Sequence, residues 1–379
     1  MTAANVPPVL GRFTGWGGLI SNHVFSEETA MIKAKVVGAG GYGGVGIAEL
    51  LLQHPETEIG CLVSLSDTGR KMSDVFPHLR GFCDEVIVSP DDPKTLEPYD
   101  VVFFSTPDGV GMQKAGEEIE RGVKVIDYSG DFRFGTPEQY AEYANFIGLD
   151  PVHKDPALLT ETVYGLPELH EIGDTQMLVG NPGCFAVSCI LGLAPAVAAG
   201  IIDLKSIICD CKTGVSGAGK KPNAAFHYPN RYDNMNAYRL SGHQHMVEIE
   251  QELGALSDEE VRITFTAQVV PVCRGILSVL YATLDGQTAN EVLETYREFN
   301  RNNPFVRVQD AQTPASIADV RGTNYCNLTV DVDARNNRLR VVSHIDNLMK
   351  GQAGNALQNM NLMFGLDAGT GLASPGQYP

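Results

Sequence analysis

The sequence predicts an α/β protein in two unlike halves, a doubly wound parallel sheet followed by an α+β region on a mixed sheet. Three observations predict it. "IKAKVVGAGGYGGVGIAELLLQHPE" reads as a strand, a glycine-rich turn and a helix, and another strand follows at once. From residue 31 to about 150, short apolar strands keep alternating with helical stretches. After residue 184 the texture changes to long strands in which every second residue is apolar.

The first strand is "AKVVGA", and the helix after it carries Val45, Ala48, Leu51 and Leu52 on one face. "EIGCLVSLS" is the second strand and "EVIVS" a further one. "YDVVFFSTP" is a buried strand with a loop at its end, and "GVKVIDYSGDFRF" is a strand running into a polar loop. In "VGNPGCFAVS", Asn-Pro-Gly marks a sharp turn, and "CFAVSCILGLAPAVAAG" reads as an apolar helix. Long strands follow, in "KSIICDCKTGVSGAGKK", "VRITFTAQVVPVC", "GILSVLYATLDG" and "NYCNLTVDVDARNNRLRVVSHID", the last stretch holding a hairpin with Asn-Asn at its tip. "NLMKGQAGNALQNMNLMFG" reads as an amphipathic helix that returns to the first half. The expected division is 1–30 an extension, 31–183 a Rossmann-type nucleotide domain, 184–345 a catalytic and oligomerisation domain, and 346–379 the returning helix.

A hydrophobic content of 43% with 20% charged residues over 379 positions is that of an ordinary globular protein. The formal charge of −18 argues against nucleic acid and anionic membranes as partners. No apolar run is long enough to span a membrane. The eight cysteines are scattered without CxxC or zinc spacing, which fits reduced thiols in a cytoplasmic protein. Residues 1–30 are poor in Lys and Arg, lack a continuous apolar core, and do not resemble a signal or transit peptide.

The glycine turn fits a dinucleotide. Gly38 permits the tight turn, Gly41 lets a pyrophosphate approach the backbone beside Tyr42, and Gly44 lets helix and strand pack closely. Ser105, in the loop ending "YDVVFFSTP", is expected at the same site. The second strand ends in Ser64 and Ser66, with Arg70 and Lys71 soon after. Hydroxyls and cations suit the 2′-phosphate of NADP, whereas Asp67 would suit the 2′-OH of NAD. The charges favour NADP. "TGVSGAGKK" adds a second glycine loop, with Ser216, Gly217 and Gly219 near phosphate or nicotinamide.

Cys184 opens its helix, where unpaired N–H groups and the helix dipole lower a thiol pKa. A small residue packed at a turn is the plain alternative. His245 and Glu248 stand one helical turn apart, so a carboxylate can orient an imidazole that serves the thiol, with His243 as second candidate. Paired surface histidines at a helix start would look the same. Two histidines one residue apart also suit a metal, but no third ligand is evident and none is expected. Arg133, past a strand end, and Arg274 are candidate contacts for a substrate anion, or members of structural salt bridges.

The chain resembles the longer type of N-acetyl-γ-glutamyl-phosphate reductase. The resemblance rests on "VGAGGYGGVGIAELLLQHPE", "DYSGDFRF", "VYGLPEL", "NPGCFAV", "TGVSGAGKK", "GHQHMVEIEQEL", "PVCRGIL" and "DNLMKGQAGNALQNMN", in order from about residue 32 onward. It implies NADPH-dependent reductive dephosphorylation of an acyl phosphate in arginine biosynthesis, through a thioester on Cys184. It further implies His245 or His243 as acid/base, Arg133 on the phosphoryl group, Asn347 near the nicotinamide and Lys350 facing the same cleft. A homodimer or homotetramer is expected. Gln244 and Val247 stand where the family usually has Arg and Pro. That departure leaves room for a reductase of aspartyl or carrier-linked acyl phosphates; an NADP-binding regulator without catalysis is a rival of another class, against which the intact Cys184, His243, His245 and Arg133 argue.

Overall fold

The structure is a computed structural model, and it describes residues 31–376. The amino-terminal extension lies outside them. Six strands make a parallel sheet: β1 Ile32–Val37, β2 Thr57–Val63, β3 Val101–Phe104, β4 Lys124–Asp127, β5 Val163–Tyr164 and β6 Leu178–Gly180. Their order is β2-β1-β3-β4-β6-β5. Seven make a mixed sheet: β7 Ile207–Thr213, β8 Asn236–Tyr238, β9 Ile263–Val269, β10 Ile276–Thr283, β11 Val306–Asp310, β12 Cys326–Asp333 and β13 Arg338–Ile345. Their order is β11-β12-β13-β10-β7-β9-β8.

The β1–turn–helix unit forms as its pattern predicts. The helix Tyr42–Gln53 buries Val45, Ile47, Ala48, Leu50 and Leu51. Leu52, expected on that face, is exposed in the helix's last turn, at the edge of the buried stripe. "EVIVS" is not a strand. Val86 and Val88 make only isolated bridges, to Lys71 and Val63, in a segment held by loops on both sides. The hairpin turn falls at residues 334–337, where Asn337 adopts φ +50°.

The helix Cys184–Ala198 is apolar all round and is buried against β10 and β13 of the mixed sheet. Its first residue directly follows the turn after β6. Cys184 is therefore held where the parallel sheet's carboxyl ends meet the mixed sheet. The last helical segment begins as a π turn, Met349–Ala353, and continues as Gly354–Met363. Its Ala356, Leu357 and Met360 pack with Val36, Ile47 and Phe103, so it does join the core under the glycine loop. It is not amphipathic as expected. Asn355, Gln358, Asn359 and Asn361 are buried as well, each with hydrogen-bond partners inside the protein.

All eight cysteines are free. Cys189 packs behind the helix start with its sulfur 3.5 Å from that of Cys211. No helix among the described residues is long and apolar enough to cross a membrane.

Candidate active site

Cys184 is the first residue of its helix. Gly183, extended at φ −73°, precedes it, and no side chain caps the helix. The free N–H groups of that first turn are the donors an oxyanion at the reacting carbon would need. What fixes the turn is Glu248. Its Oε2 accepts from the Gly183 N–H (3.0 Å) and from the Tyr164 hydroxyl (3.1 Å), and its Oε1 from Arg133 Nη1 (2.9 Å). This carboxylate is fully buried.

The expected Glu248–His245 hydrogen bond is absent. His245 Nε2 lies 3.8 Å from Glu248 Oε1, because both carboxylate oxygens are spent on Gly183, Tyr164 and Arg133. His245 Nε2 instead lies over Gly183. A Cβ on that glycine would come within 2.3 Å of it, so only glycine fits before the cysteine. The other ring nitrogen, Nδ1, is buried and has no partner among the described residues.

His243 is a packed ring. Its Nδ1 accepts from the His245 N–H at 3.2 Å, and Phe185, Tyr238 and Phe265 surround it with ring centroids 5.1 to 5.8 Å away. Burial, the neighbouring His245 and Arg239 hold it down at about 2. Burial, Arg133 and Arg239 hold His245 at about 3. Both imidazoles are neutral at pH 7.

The thiol departs from the expectation of a lowered pKa. Burial pushes Cys184 up to about 11, against the pull of Arg133 and the backbone N–H groups of Phe185 and Cys184. The helix start favours the thiolate, but desolvation outweighs it. At rest Cys184 is a thiol and His245 a neutral imidazole.

Arg133 is not open to a ligand as expected. Its Nε donates to Asn181 O (2.8 Å), Nη1 to Glu248, and Nη2 to Tyr128 O. The ion pair is with Glu248, 115 residues away, and not with the nearby Asp131. Arg274 is ion-paired to Asp346 at 3.0 Å yet remains partly exposed at a cavity of about 850 Å³. Gln244 accepts from Arg239, a residue at φ +49° that the sequence did not single out. Val247 packs with Phe134, Tyr140 and Tyr143.

The nucleotide loop fits a dinucleotide. Gly38 has φ +89°, and a Cβ there would lie 2.1 Å from the Ser105 carbonyl oxygen. A Cβ on Gly44 would lie 2.3 Å from Gly38 O, whereas one on Gly41 would meet nothing nearer than 3.5 Å, so the space beside Gly41 is open. The helix from Tyr42 has neither a side-chain cap nor an acidic residue in its first turn. Thr106 Oγ1 and Gln352 Oε1 are buried and unpartnered among the described residues, polar atoms of the kind a bound group satisfies. At the end of β2, Ser64 Oγ is 3.3 Å from Ser66 Oγ, which donates to Asp67. Arg70 pairs with Asp67 at 3.1 Å and covers its charge, and Lys71 is exposed.

The second glycine loop meets the first. Lys220 Nζ donates to Gly40 O at 3.1 Å. Ser216 Oγ accepts from Asn347 Nδ2 (2.9 Å), while Asn347 Oδ1 accepts from Gly275 N–H (2.7 Å). Gly217 faces Thr213, and Gly219 has φ +79°. Asn347 is thus tied to the loop that holds Ser216 and Gly219. Lys350 does not face the cleft. It is fully buried and paired with Glu168. No group of three His, Cys, Asp or Glu among the described residues could hold a metal ion.

The buried histidines set a pH dependence. An unfolded chain takes up protons on both below the ordinary value of 6.5, and the folded chain does not until far lower. Their stabilising contribution is complete above pH 6.5 and is lost as pH falls toward 3, at about 1.4 kcal/mol per pH unit for each. Urea midpoints are expected to drop between pH 7 and pH 5, and to drop less when both rings are replaced by glutamine. Equal drops in the two proteins would remove the histidines from acid unfolding.

Comparison with known proteins places this geometry. Residues 33–173 match the semialdehyde dehydrogenase NAD binding domain, and residues 184–347 match the semialdehyde dehydrogenase dimerisation domain. N-acetyl-gamma-glutamyl-phosphate reductase of Pelotomaculum thermopropionicum is 42% identical over 355 residues, covering 92% of this chain and 99% of its own. The protein of the same name from Geobacter metallireducens is 42% identical, covering 92% and 100%. Among solved structures, aspartate semialdehyde dehydrogenase II of Vibrio cholerae shares the fold, with a TM-score of 0.64 at 16% identity over 88% of this chain and 98% of that one. The Candida albicans aspartate semialdehyde dehydrogenase with NADP gives 0.62 at 18%, with the same coverage.

Proposed function

The chain belongs to the N-acetyl-γ-glutamyl-phosphate reductases, within the semialdehyde dehydrogenase family, and from that premise we propose how its residues carry the reaction. It is an NADP-dependent enzyme of arginine biosynthesis. It reduces N-acetyl-γ-glutamyl phosphate to N-acetylglutamate 5-semialdehyde with release of phosphate.

Cys184 Sγ attacks the acyl carbon. The S–C bond forms, the C–O bond to phosphate breaks, and the thiol proton passes to His245. Supporting this, the ring is neutral at pH 7 and one of its nitrogens is unpartnered. N–H groups of the first helical turn stabilise the oxyanion. NADPH, when bound, supplies the hydride that reduces the thioester. His245 then returns its proton as the carbon–sulfur bond breaks and the aldehyde leaves.

Glu248 and Arg133 are positioning residues in this scheme. They fix Gly183 and Asn181, on either side of Pro182 in the turn. Gly38, Gly41, Tyr42, Gly44, Ser64, Ser66, Ser105 and the Ser216–Gly219 loop would hold the cofactor, and Arg274 would meet a substrate anion. We place the protein in the cytoplasm, and as a homo-oligomer, the latter supported by the match to a dimerisation domain. The observation that carries the proposal is a cysteine on an uncapped helix start, the turn before it fixed by a buried carboxylate, with a neutral histidine against Gly183 whose Nδ1 has no partner among the described residues.

NADP+ reduction by N-acetylglutamate 5-semialdehyde tests it. Turnover is expected to need added phosphate and to exceed that with aspartate semialdehyde. Greater turnover with the latter would overturn the substrate assignment. Cofactor choice gives a second test. R70A/K71A is expected to weaken NADPH by about 1.5–3 kcal/mol per lost charge-assisted bond. Arg70 also screens Asp67, so its loss leaves a carboxylate near the 2′-phosphate. NADH should change little. Equal losses for both cofactors would show that these side chains serve the fold.

A further inference from the structure

Lys350 takes no part in the chemistry above, yet it is a fully buried cation close behind the site. Its Nζ spends three N–H bonds on three oxygens: Glu168 Oε1 at 2.7 Å, Asn355 Oδ1 at 2.9 Å and Gln358 Oε1 at 2.9 Å. These acceptors come from the loop after β5 and from the last helix. Lys350 itself stands in the π turn Met349–Ala353, a geometry found frequently at functional sites.

The network continues to the turn that carries the cysteine. Asn355 Nδ2 donates to Asn181 Oδ1 (2.9 Å) and to Gly165 O (2.6 Å). Asn181 Nδ2 donates to Gln352 O (3.1 Å), back in the π turn. Gly351, beside Lys350, forms the wall behind the thiol, since a Cβ there would come within 2.8 Å of Cys184 Cβ. Two hydrogen-bonded steps therefore lead from the ammonium to Asn181, three residues before Cys184.

We propose that Lys350 is a positioning residue, whose bonds to Glu168 and Asn355 set the π turn and Asn181 and so fix the placement of Cys184. A buried ion pair is a poor device for stability alone, because apolar residues of similar volume often do as well or better. What the pair supplies here is directed bonds that tie the loop after β5 to the last helix, whose Asn355 reaches Asn181. The inference rests on Cys184 being the reactive thiol, and its test does not depend on which acyl phosphate the enzyme uses.

The double variant K350M/E168L removes both charges and leaves neither unpaired. N355A keeps the Lys350–Glu168 ion pair and removes the bonds that Asn355 makes to Lys350, Asn181 and Gly165. For both, kcat, the KM for NADPH, the melting temperature, and the pH profile of iodoacetamide alkylation mapped to Cys184 are measured. The expected result is a kcat lower by about 10- to 100-fold, the scale of a small misplacement. The alkylation profile at Cys184 shifts, and the KM for NADPH reports separately on Gln352, which shares the π turn. N355A should show both effects even if the double variant fails to fold. An N355A enzyme with wild-type kcat and alkylation profile would overturn the proposal. So would a loss of kcat that only tracks loss of folded protein while Cys184 reacts as in wild type. If the wild type turned over no acyl phosphate, the alkylation profiles would still decide the point.

Discussion

Replacing Cys184 with serine is expected to lower kcat by on the order of 10⁴-fold or more, the size seen when a nucleophile is removed from a concerted set. The hydroxyl is a far weaker nucleophile near neutral pH, and no base here is strong enough to ionise it. His245 is held at about 3, and even the thiol, pushed up to about 11, has to lose its proton as it reacts. NADPH affinity should survive, since the glycine turn at residues 38–44 has its own packing against Ser105. Steady-state kinetics and nucleotide titration on the same preparation check both halves. Substantial turnover in the serine enzyme would remove Cys184 from the mechanism.

The second large effect separates the two histidines. H245A is expected to lose about 10²- to 10⁴-fold in kcat, the usual range for a general acid–base group, with a small change in melting temperature. H243A should instead lose stability. Its ring fills a space among Phe185, Tyr238 and Phe265, and its Nδ1 caps the His245 N–H. Emptying such a site costs about 2–5 kcal/mol. Thermal melts beside kinetics distinguish the two. If H243A is the slower enzyme with its fold intact, the roles are reversed.

The glycine turn, the helix starting at Cys184 and the long strands of both sheets were legible because their signals are local, whereas the short strands β5, β6, β8 and β11 carry too few residues to show a period. Pro182 and Gly183 leave few turns open, and alternation in "GILSVLYATL" admits one buried face. The partners of Glu248 were not legible. Its spacing to His245 predicts closeness, but Arg133, Tyr164 and Gly183 reach it from distant segments and occupy both oxygens. The same holds for Lys350 and the asparagines of the last helix, polar residues that read as a solvent face until Glu168 and Asn181 are brought against them. The thiol's raised pKa was missed for a related reason. A helix start can be read from sequence, but the burial that opposes it cannot. Tyr164, Glu168 and Asn181 all lie in stretches that carried the family resemblance, so they were within reach as positions though not as roles.

The central claim is a thioester on Cys184, and it can be met directly. The enzyme is mixed with N-acetyl-γ-glutamyl phosphate without NADPH, and phosphate release and the mass of the Cys184 peptide are followed together. The account predicts a burst of phosphate matched by one N-acetylglutamyl group on Cys184, discharged to the semialdehyde when NADPH is added. An acyl group on another residue, or phosphate release with Cys184 unmodified throughout, would contradict it.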